Sequence, residues 1–331
     1  MKIKETIGID ISKDFFDVCI HSNQLNEKIE NNEKGFKKLI EWVFKNTEYN
    51  KENTLFIFEF TGIYSFNLSQ FLTEKNISFS MVSGLEIKRS LGIARGKDDQ
   101  KDARKIALYG FRLRDEIKPY KMPSASIIKL KTLFSMRTKL VKDRAGYKSR
   151  LKEQKSVYNE KENQVLFKIQ ENMIEYFSNE IKNNEKAIDE IIKNDAQLKE
   201  TYDLITSIQS VGKQTARAMI IFTHNFSSFL NSRKFASYSG IAPFPHQSGT
   251  SIRGKNKVNH LANKQMKFLL DMCAMNAIRN NTEMKKYYEK KVAEGKNKLS
   301  VINAVRNKLL ARIFAVVNRK TPYVDTLKFA A

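Results

Sequence analysis

Five carboxylates near the start of the chain have the types and spacing to hold a divalent cation. Asp10 ends the apolar run Ile7-Gly8-Ile9-Asp10-Ile11, and Glu59 lies inside Phe56-Ile57-Phe58-Glu59-Phe60. Asp98, Asp99 and Asp102 crowd the start of a helical pattern. A carboxylate flanked on both sides by phenylalanine is costly to bury unless something pairs with it. Asp99 and Asp102 are three residues apart and Asp98 and Asp102 four, so either pair shares one helix face. Ligands that are all oxygen suit Mg²⁺ or Mn²⁺, and two such ions activate an attacking oxygen and stabilise a leaving one at a phosphodiester. Each acid alone has a plainer role: Asp10 as a turn cap, Asp99 as the cap of the following helix. Asp14 and Asp17 fit a turn and a solvent face.

A second group lies in Pro243-Phe244-Pro245-His246-Gln247-Ser248-Gly249-Thr250-Ser251-Ile252-Arg253-Gly254-Lys255, where hydroxyls sit beside glycines among cations. A serine such as Ser248 attacks a phosphate only when a base or a metal activates it. Most Ser-Gly loops are simply turns, and His246, the nearest base, is a lone loop histidine. Ser207–Ala216 reads as a loop followed by a small-residue helix, similar to a helix-hairpin-helix turn whose N–H groups hold a phosphate.

The elements that must carry these residues divide the chain. Residues 1–116 read as α/β. Thr6–Ile11 and Phe15–His21 predict a tight hairpin, Thr54–Phe60 and Ile77–Val82 predict strands, and Lys34–Lys45, Tyr64–Lys75 and Asp99–Leu113 predict helices. That order suggests a mixed sheet with helices packed on it. Ile117–Ser124, with Pro119 and Pro123, reads as a linker opening a second region, 117–204. Within it Ile174, Phe177, Ile181, Ile188, Ile191, Leu198 and Tyr202 follow one heptad frame that Asn184 and Asp195 interrupt. A long helical pair follows, either an antiparallel coiled coil or two ordinary bundle helices. The third region, 205–331, reads as mostly helical with one loop from Ser237 to Gly254.

Charge separates the regions further. The 331 residues carry 59 Lys+Arg and 36 Asp+Glu, a net of +23. Residues 1–120 hold 20 basic and 18 acidic side chains, residues 121–204 hold 17 and 13, and residues 205–331 hold 22 and 5. Leu204–Leu270 contains nine Lys or Arg and no acid. Such a stretch suits a polyanion, because each cation can replace a condensed counterion on a phosphate backbone. A Lys-rich genome raises lysine without removing every acid from one segment. No basic amphipathic anchor or run of 18 apolar residues points to a membrane. Two cysteines far apart, Cys19 and Cys273, exclude a disulfide scaffold and suggest the cytoplasm.

The combination resembles a family. Gly8-Ile9-Asp10-Ile11-Ser12-Lys13, Glu59-Phe60-Thr61-Gly62-Ile63-Tyr64 and Lys97-Asp98-Asp99-Gln100-Lys101-Asp102-Ala103 resemble the acidic blocks of the DEDD-type insertion-sequence transposases. Ser210-Val211-Gly212 leading into Thr215-Ala216, then Phe235–Pro243 and Gln247-Ser248-Gly249, resemble their C-terminal blocks, in the same order over nearly the whole chain. The resemblance implies a RuvC-like, ribonuclease-H-type first domain followed by a helical basic transposase domain. It implies a metal-binding tetrad of Asp10, Glu59, Asp99 and Asp102; the family pattern Lys-Thr-Asp-x-x-Asp-Ala selects Asp99 and puts Asp98 in the threonine place. It implies Ser248 as a nucleophile forming a 5′-phosphoserine link to DNA. The cations of the acid-free stretch, Lys213, Arg253, Lys255, Lys257 and Lys264, are expected on the nucleic acid. It also implies a bridge RNA pairing donor and target DNA, and dimers that join into a tetramer, the acidic site coming from another protomer.

Three other classes compete. A metal-dependent junction nuclease would leave Ser248 structural. A sugar-kinase or actin-like ATPase also opens on Gly-Ile-Asp, but it needs a second glycine-rich phosphate loop, and this chain has no Gly-Gly pair. A non-catalytic nucleic-acid binder leaves Glu59 unexplained.

Overall fold

Alternation builds the first sheet. A computed structural model describes residues 2–90, 99–229, 231–248 and 252–325. Strands β1 (Glu5–Ile11), β2 (Phe15–Ile20), β3 (Asn26–Glu30), β4 (Thr54–Glu59) and β5 (Phe79–Val82) form a sheet of order β3-β2-β1-β4-β5. The β1–β2 and β2–β3 pairings are antiparallel, and β1–β4 and β4–β5 are parallel. Ile7, Ile9 and Ile11 face one way with Phe56 and Phe58, into a core covered by α1 (Glu33–Lys45) and α2 (Phe66–Glu74). Leu55, Ile57 and Val82 face the other way with Ile106 and Tyr109 of α4 (Asp99–Arg112). The central strands are therefore buried on both faces, as parallel pairs must be.

β3 and the short helix α3 (Gly84–Ser90) are elements the pattern did not predict. β3 is an edge strand reading Asn-Glu-Lys-Ile-Glu, in which only Ile29 turns inward. Charged edges of this kind discourage further pairing and erase the apolar alternation. The segment 117–122, predicted as linker, packs on the first unit: Tyr120 donates its N–H to Phe79 O at 2.7 Å, and Tyr120 and Met122 cover its core.

The chain divides into two compact units, Met1–Met122 and Pro123–Ala331. Ser124 opens the second by capping α5 (Ala125–Lys155). This helix pairs with α6 (Gln164–Asn194) in an antiparallel hairpin, pinned by Arg137–Glu185, Arg144–Ser178, Gln154–Gln170 and Lys155–Glu171. Asp195 ends it by capping α7 (Ala196–Thr206), which explains its break in the heptad frame. The base of this hairpin and the basic segment share one core: Ile127, Leu130, Phe134, Ile188 and Ile192 pack with Ile205, Ala216, Met219, Leu270 and Leu309. Residues 123–204 and 205–331, distinct in composition, are here one packed body.

That body also contains α8 (Lys213–Thr223), α9 (Ser232–Tyr238), α10 (Lys264–Asn280), α11 (Thr282–Ala293) and α12 (Lys298–Arg319). Between α9 and α10 stands an antiparallel ribbon of β6 (Pro243–Ser248) and β7 (Ile252–Val258). This corrects the loop predicted over Ser237–Gly254. Its Pro, Ser and Gly residues hide a strand signal because they are confined to an isolated two-stranded ribbon, where prolines need not donate to a further strand.

Candidate active site

Two parallel strands bring the first two acids together. Ile9 pairs with Phe58 across β1 and β4, so Asp10 and Glu59, one residue further on, lie side by side near the ends of these neighbouring strands. Such ends are where open α/β sheets bind ligands. Thr6 and Gly8 face α4, and strand alternation continues that face to Asp10; Leu55 and Ile57 continue it to Glu59. Glu59 is the last residue of β4 and only partly covered, while Phe60 already lies outside the sheet and is 53% exposed. The burial argued from its two phenylalanine neighbours holds for Phe58 alone.

The third group arrives on α4. A Cβ on Gly8 would strike Ala103 O and Ala107 N, and one on Gly110 would meet Ile57 and Thr6. The helix therefore runs antiparallel to β1, and its first turn, with Asp99 and Asp102, lies towards the end occupied by Asp10. Thr6 Oγ1 donates to Ala107 O at 2.9 Å and fixes the crossing. Tyr109 Oη donates to Glu86 Oε1 at 2.9 Å and ties α3 to α4. Burial, and then this bond to a carboxylate, push the Tyr109 phenol up to about 12. Gly84, at the start of α3, abuts the Glu59 carboxylate so closely that a Cβ there would collide with both its oxygens. The glycine is a cradle shaped for that carboxylate.

Asp102 Oδ1 accepts from Lys105 Nζ at 2.6 Å, an i,i+3 pair about one-third exposed at each end. Among the described residues no three His, Cys, Asp or Glu side chains converge as a ready metal cage. Asp98 lies outside the described residues, as does the side chain of Asp99, whose backbone opens α4.

One further acid belongs to this face. Asp17 sits directly opposite Asp10 across β1 and β2 and is 9% exposed, which corrects its placement on a solvent face. It shares its side of β2 with Cys19, which packs on Ala103 and Ala107. Burial pushes the Cys19 thiol up to about 11. The period-two phase of Phe16, Val18 and Ile20 was the signal that could have turned Asp17 inward.

In the second unit, Ser248 ends β6 opposite Ile252, and Arg253 pairs with Gln247 one step away. The side chains of Ser248, His246, Arg253 and Lys255, and all of Gly249, Thr250 and Ser251, lie outside the described residues. The ribbon's base is anchored: Gly240 takes φ +67°, and Asn303 and Asn307 donate to Ile241 O at 2.9 and 3.1 Å. Lys257 is exposed on β7 opposite Phe244, and Lys213 and Lys264 are exposed at the first positions of α8 and α10. Gly212 caps α8 without a side-chain bond, leaving the small-residue helix open at its start.

Not every cation of the acid-free stretch faces solvent. Arg217 is buried on α8 and bonds Asp189 of α6, while Glu185 accepts from Arg137 at 2.5 Å and Gln214 at 2.9 Å. Arg306 pairs with Asp271, and Arg312 with Glu283. Glu185, Asp189, Asp271 and Glu283 are thus tied to arginines that serve the packing.

Comparison with known proteins agrees with this arrangement. A family described as transposase, of the DEDD type, matches residues 7–156, and one described as "Transposase IS116/IS110/IS902 family" matches residues 202–289. The "Pilin gene-inverting protein" of Moraxella bovis is 30% identical over 97% of this chain and 98% of its own length, and that of Moraxella lacunata matches equally. The "Insertion element IS110 uncharacterized 43.6 kDa protein" of Streptomyces coelicolor is 28% identical over 36% of this chain and 29% of its own. Fold, acids and relatives together define an enzyme that moves or recombines DNA. The chain belongs to the IS116/IS110/IS902 family of transposases. A DEDD-type family points to dependence on a divalent metal. Among the described residues no helix is long and apolar enough to cross a membrane.

Proposed function

We propose that this transposase cuts and rejoins DNA through Ser248, activated by a divalent cation held by Asp10, Glu59, Asp99 and Asp102. The observation that carries the reading is the meeting of Asp10, Glu59 and the acidic first turn of α4 at one end of one sheet face. A five-stranded mixed sheet with acids on its central strand and on the neighbouring parallel strand supports the RuvC-like reading of the first unit.

The residues fit such an ion. The donors are all carboxylate oxygens, suited to Mg²⁺ or Mn²⁺, and Gly84 lets the Glu59 carboxylate sit hard against the start of α3. Asp102 would exchange its bond to Lys105 for the cation. When bound, the ion lowers the pKa of an attacking hydroxyl and offsets charge developing on the phosphate. Ser248 Oγ then displaces the 3′ oxygen of a phosphodiester, leaving a 5′-phosphoserine link. Attack by the 3′ hydroxyl of another strand rejoins DNA and frees the serine. Arg253, Lys255 and Lys257 neutralise the transferring phosphate, while Lys213 and Lys264 contact the backbone elsewhere.

Leu204–Leu270 contains no carboxylate, so the activating acids come from outside that segment; in this reading they are the tetrad of the first unit, that of another protomer in a dimer-of-dimers tetramer. A bridge RNA pairing donor and target DNA would account for part of the +23 charge, and the enzyme would act in the cytoplasm. The gene inversion named in the Moraxella relatives supports cutting followed by rejoining.

The test is a covalent protein–DNA adduct on a denaturing gel. Ser248→Ala abolishes it while DNA binding persists, and Thr250→Ala and Ser251→Ala retain it. An adduct that survives Ser248→Ala but is lost with Ser251→Ala moves the nucleophile by three residues. If the unaltered protein forms no adduct, the junction-nuclease reading replaces this one.

A further inference from the structure

The ribbon that carries Ser248 also forms one wall of a cavity. It occupies about 520 Å³ between α9, β6 and α12, within the roughly 300–1,000 Å³ span of small-molecule sites. Leu310 lines it as a buried apolar wall, 1% exposed. Ser232, Ser237 and Asn307 supply polar groups at its sides. Arg233 is exposed there, and among the described residues no carboxylate pairs with it. Neither α9, β6 nor α12 contains a single Asp or Glu.

Phe244 completes the lining. It is 43% exposed, stands between Pro243 and Pro245, and pairs across the ribbon with exposed Lys257. An exposed ring fixed between two prolines gains nothing for the core of this unit, whose buried cluster does not include it. A ring held in place, cations on either side and an acid-free lining form the combination that seats an unpaired nucleotide, with the base stacked on the aromatic face and the phosphate on the cation. Phe244 and Ser248 are four residues apart on one strand, about 13 Å at the usual rise. A single strand crossing the ribbon therefore meets both within a few nucleotides.

We propose that this cavity holds an unpaired nucleotide of the DNA strand that Ser248 attacks, stacked on Phe244 with its phosphate at Arg233. The choice of strand rests on the serine reading above; the seating of an unpaired nucleotide does not. The pocket would hold one nucleotide out of the duplex while the neighbouring phosphodiester is exchanged.

The test uses the full-length protein carrying Ser248→Ala, so that no covalent step enters the measurement, with dT12 and U12 oligonucleotides and a 12-base-pair duplex as probes. Phe244→Ala weakens dT12 binding about tenfold and duplex binding by less than about twofold, and Phe244→Trp restores dT12 binding. Arg233→Gln lowers the slope of log affinity against log salt for dT12 by about 0.7, the loss of one single-strand phosphate contact. Three results overturn the proposal: unchanged dT12 binding in Phe244→Ala, an equal loss for duplex and single strand, or no dT12 binding by the parent protein. Binding of U12 about tenfold tighter than dT12, and lost in Phe244→Ala, gives the pocket to RNA and overturns the DNA assignment. If the adduct assay fails while Phe244→Ala still loses dT12, the serine reading falls and the nucleotide seat stands.

Discussion

Replacing Gly8 by alanine tests whether α4 must lie hard against β1 for the acids to act together. The new Cβ would stand 2.8 Å from Ala107 Cα and nearer still to Ala103 O and Ala107 N, all backbone atoms that cannot swing aside. Carbon contacts settle at about 3.5–4.0 Å, so the helix must withdraw by roughly 1 Å. Overpacking of this kind costs about 1–3 kcal/mol. Stretching the Thr6 Oγ1–Ala107 O bond beyond its 2.9 Å removes about 1 kcal/mol more. In a unit of residues 1–122, a loss of about 2–4 kcal/mol lowers the thermal midpoint by on the order of 10 °C. Asp99 and Asp102 ride on the first turn of the same helix, and a misplacement of about 1 Å at a reacting centre costs on the order of 100-fold in rate. A thermal melt and a strand-transfer assay on the same preparation read both effects, and DNA binding serves as the control for the second unit. Gly110→Ala is the internal comparison, because its Cβ meets Ile57 Cδ1, the movable end of a side chain; its melt falls less. A Gly8→Ala protein as stable and as active as the parent would refute the close crossing as the device that positions the acids.

Three other outcomes follow from the same geometry. Asp10→Asn, Glu59→Gln and Asp102→Asn abolish strand transfer with unchanged melting, and Asp99→Asn is more damaging than Asp98→Asn; full recombination by Asp102→Asn in Mg²⁺ removes it from the tetrad. Nucleic-acid affinity falls steeply with salt, and Lys213→Gln, Lys257→Gln and Lys264→Gln each flatten the log–log slope for duplex DNA by about 0.9; unaltered slopes place the phosphate contacts elsewhere. Asp189→Ala destabilises the protein by about 1–3 kcal/mol because it leaves a buried guanidinium with only the Glu185 carboxylate, 4.0 Å away, whereas Arg217→Met, which removes the charge itself, costs less. The opposite order of melting temperatures would mean that the pair contributes net stability.

The parts of the fold that could be read from the sequence are those where one physical rule dominates. The isoleucines of β1 and the phenylalanines of β4 alternate cleanly because each has a core on its inward side. The hairpin after Ile11 is equally plain, since Ser12 caps its turn by accepting from Phe15 N and donating to Phe15 O. β3 and the β6–β7 ribbon were hidden because they are held by register and anchoring bonds rather than by burial. Asp10, Glu59 and Asp102 stood out by type and by resemblance, but Asp17 and Gly84 did not. An aspartate beside a turn looks like a turn residue until the register puts it opposite Asp10. A glycine opening a short helix says nothing until a carboxylate is found against it.

The acid-free stretch shows how composition and structure answer different questions. From Leu204 to Leu270 the sequence offers nine cations and no counter-charge, and each looks equally available to a phosphate. Packing divides them. Arg217 turns into the body and takes Asp189, a residue of α6 that lies 28 positions earlier in sequence. Lys213, Lys257 and Lys264 remain exposed, on a helix start, a ribbon and a second helix start. A buried arginine without a partner would cost several kcal/mol, so the fold must bring it an acid from outside its own segment, and the hairpin of α5 and α6 is the element that does so. The same hairpin therefore has a part in the electrostatics of the second unit. By neutralising Arg217, which packing removes from solvent, it leaves the exposed Lys213, Lys257 and Lys264 without that counter-charge, and these are the ones a polyanion meets.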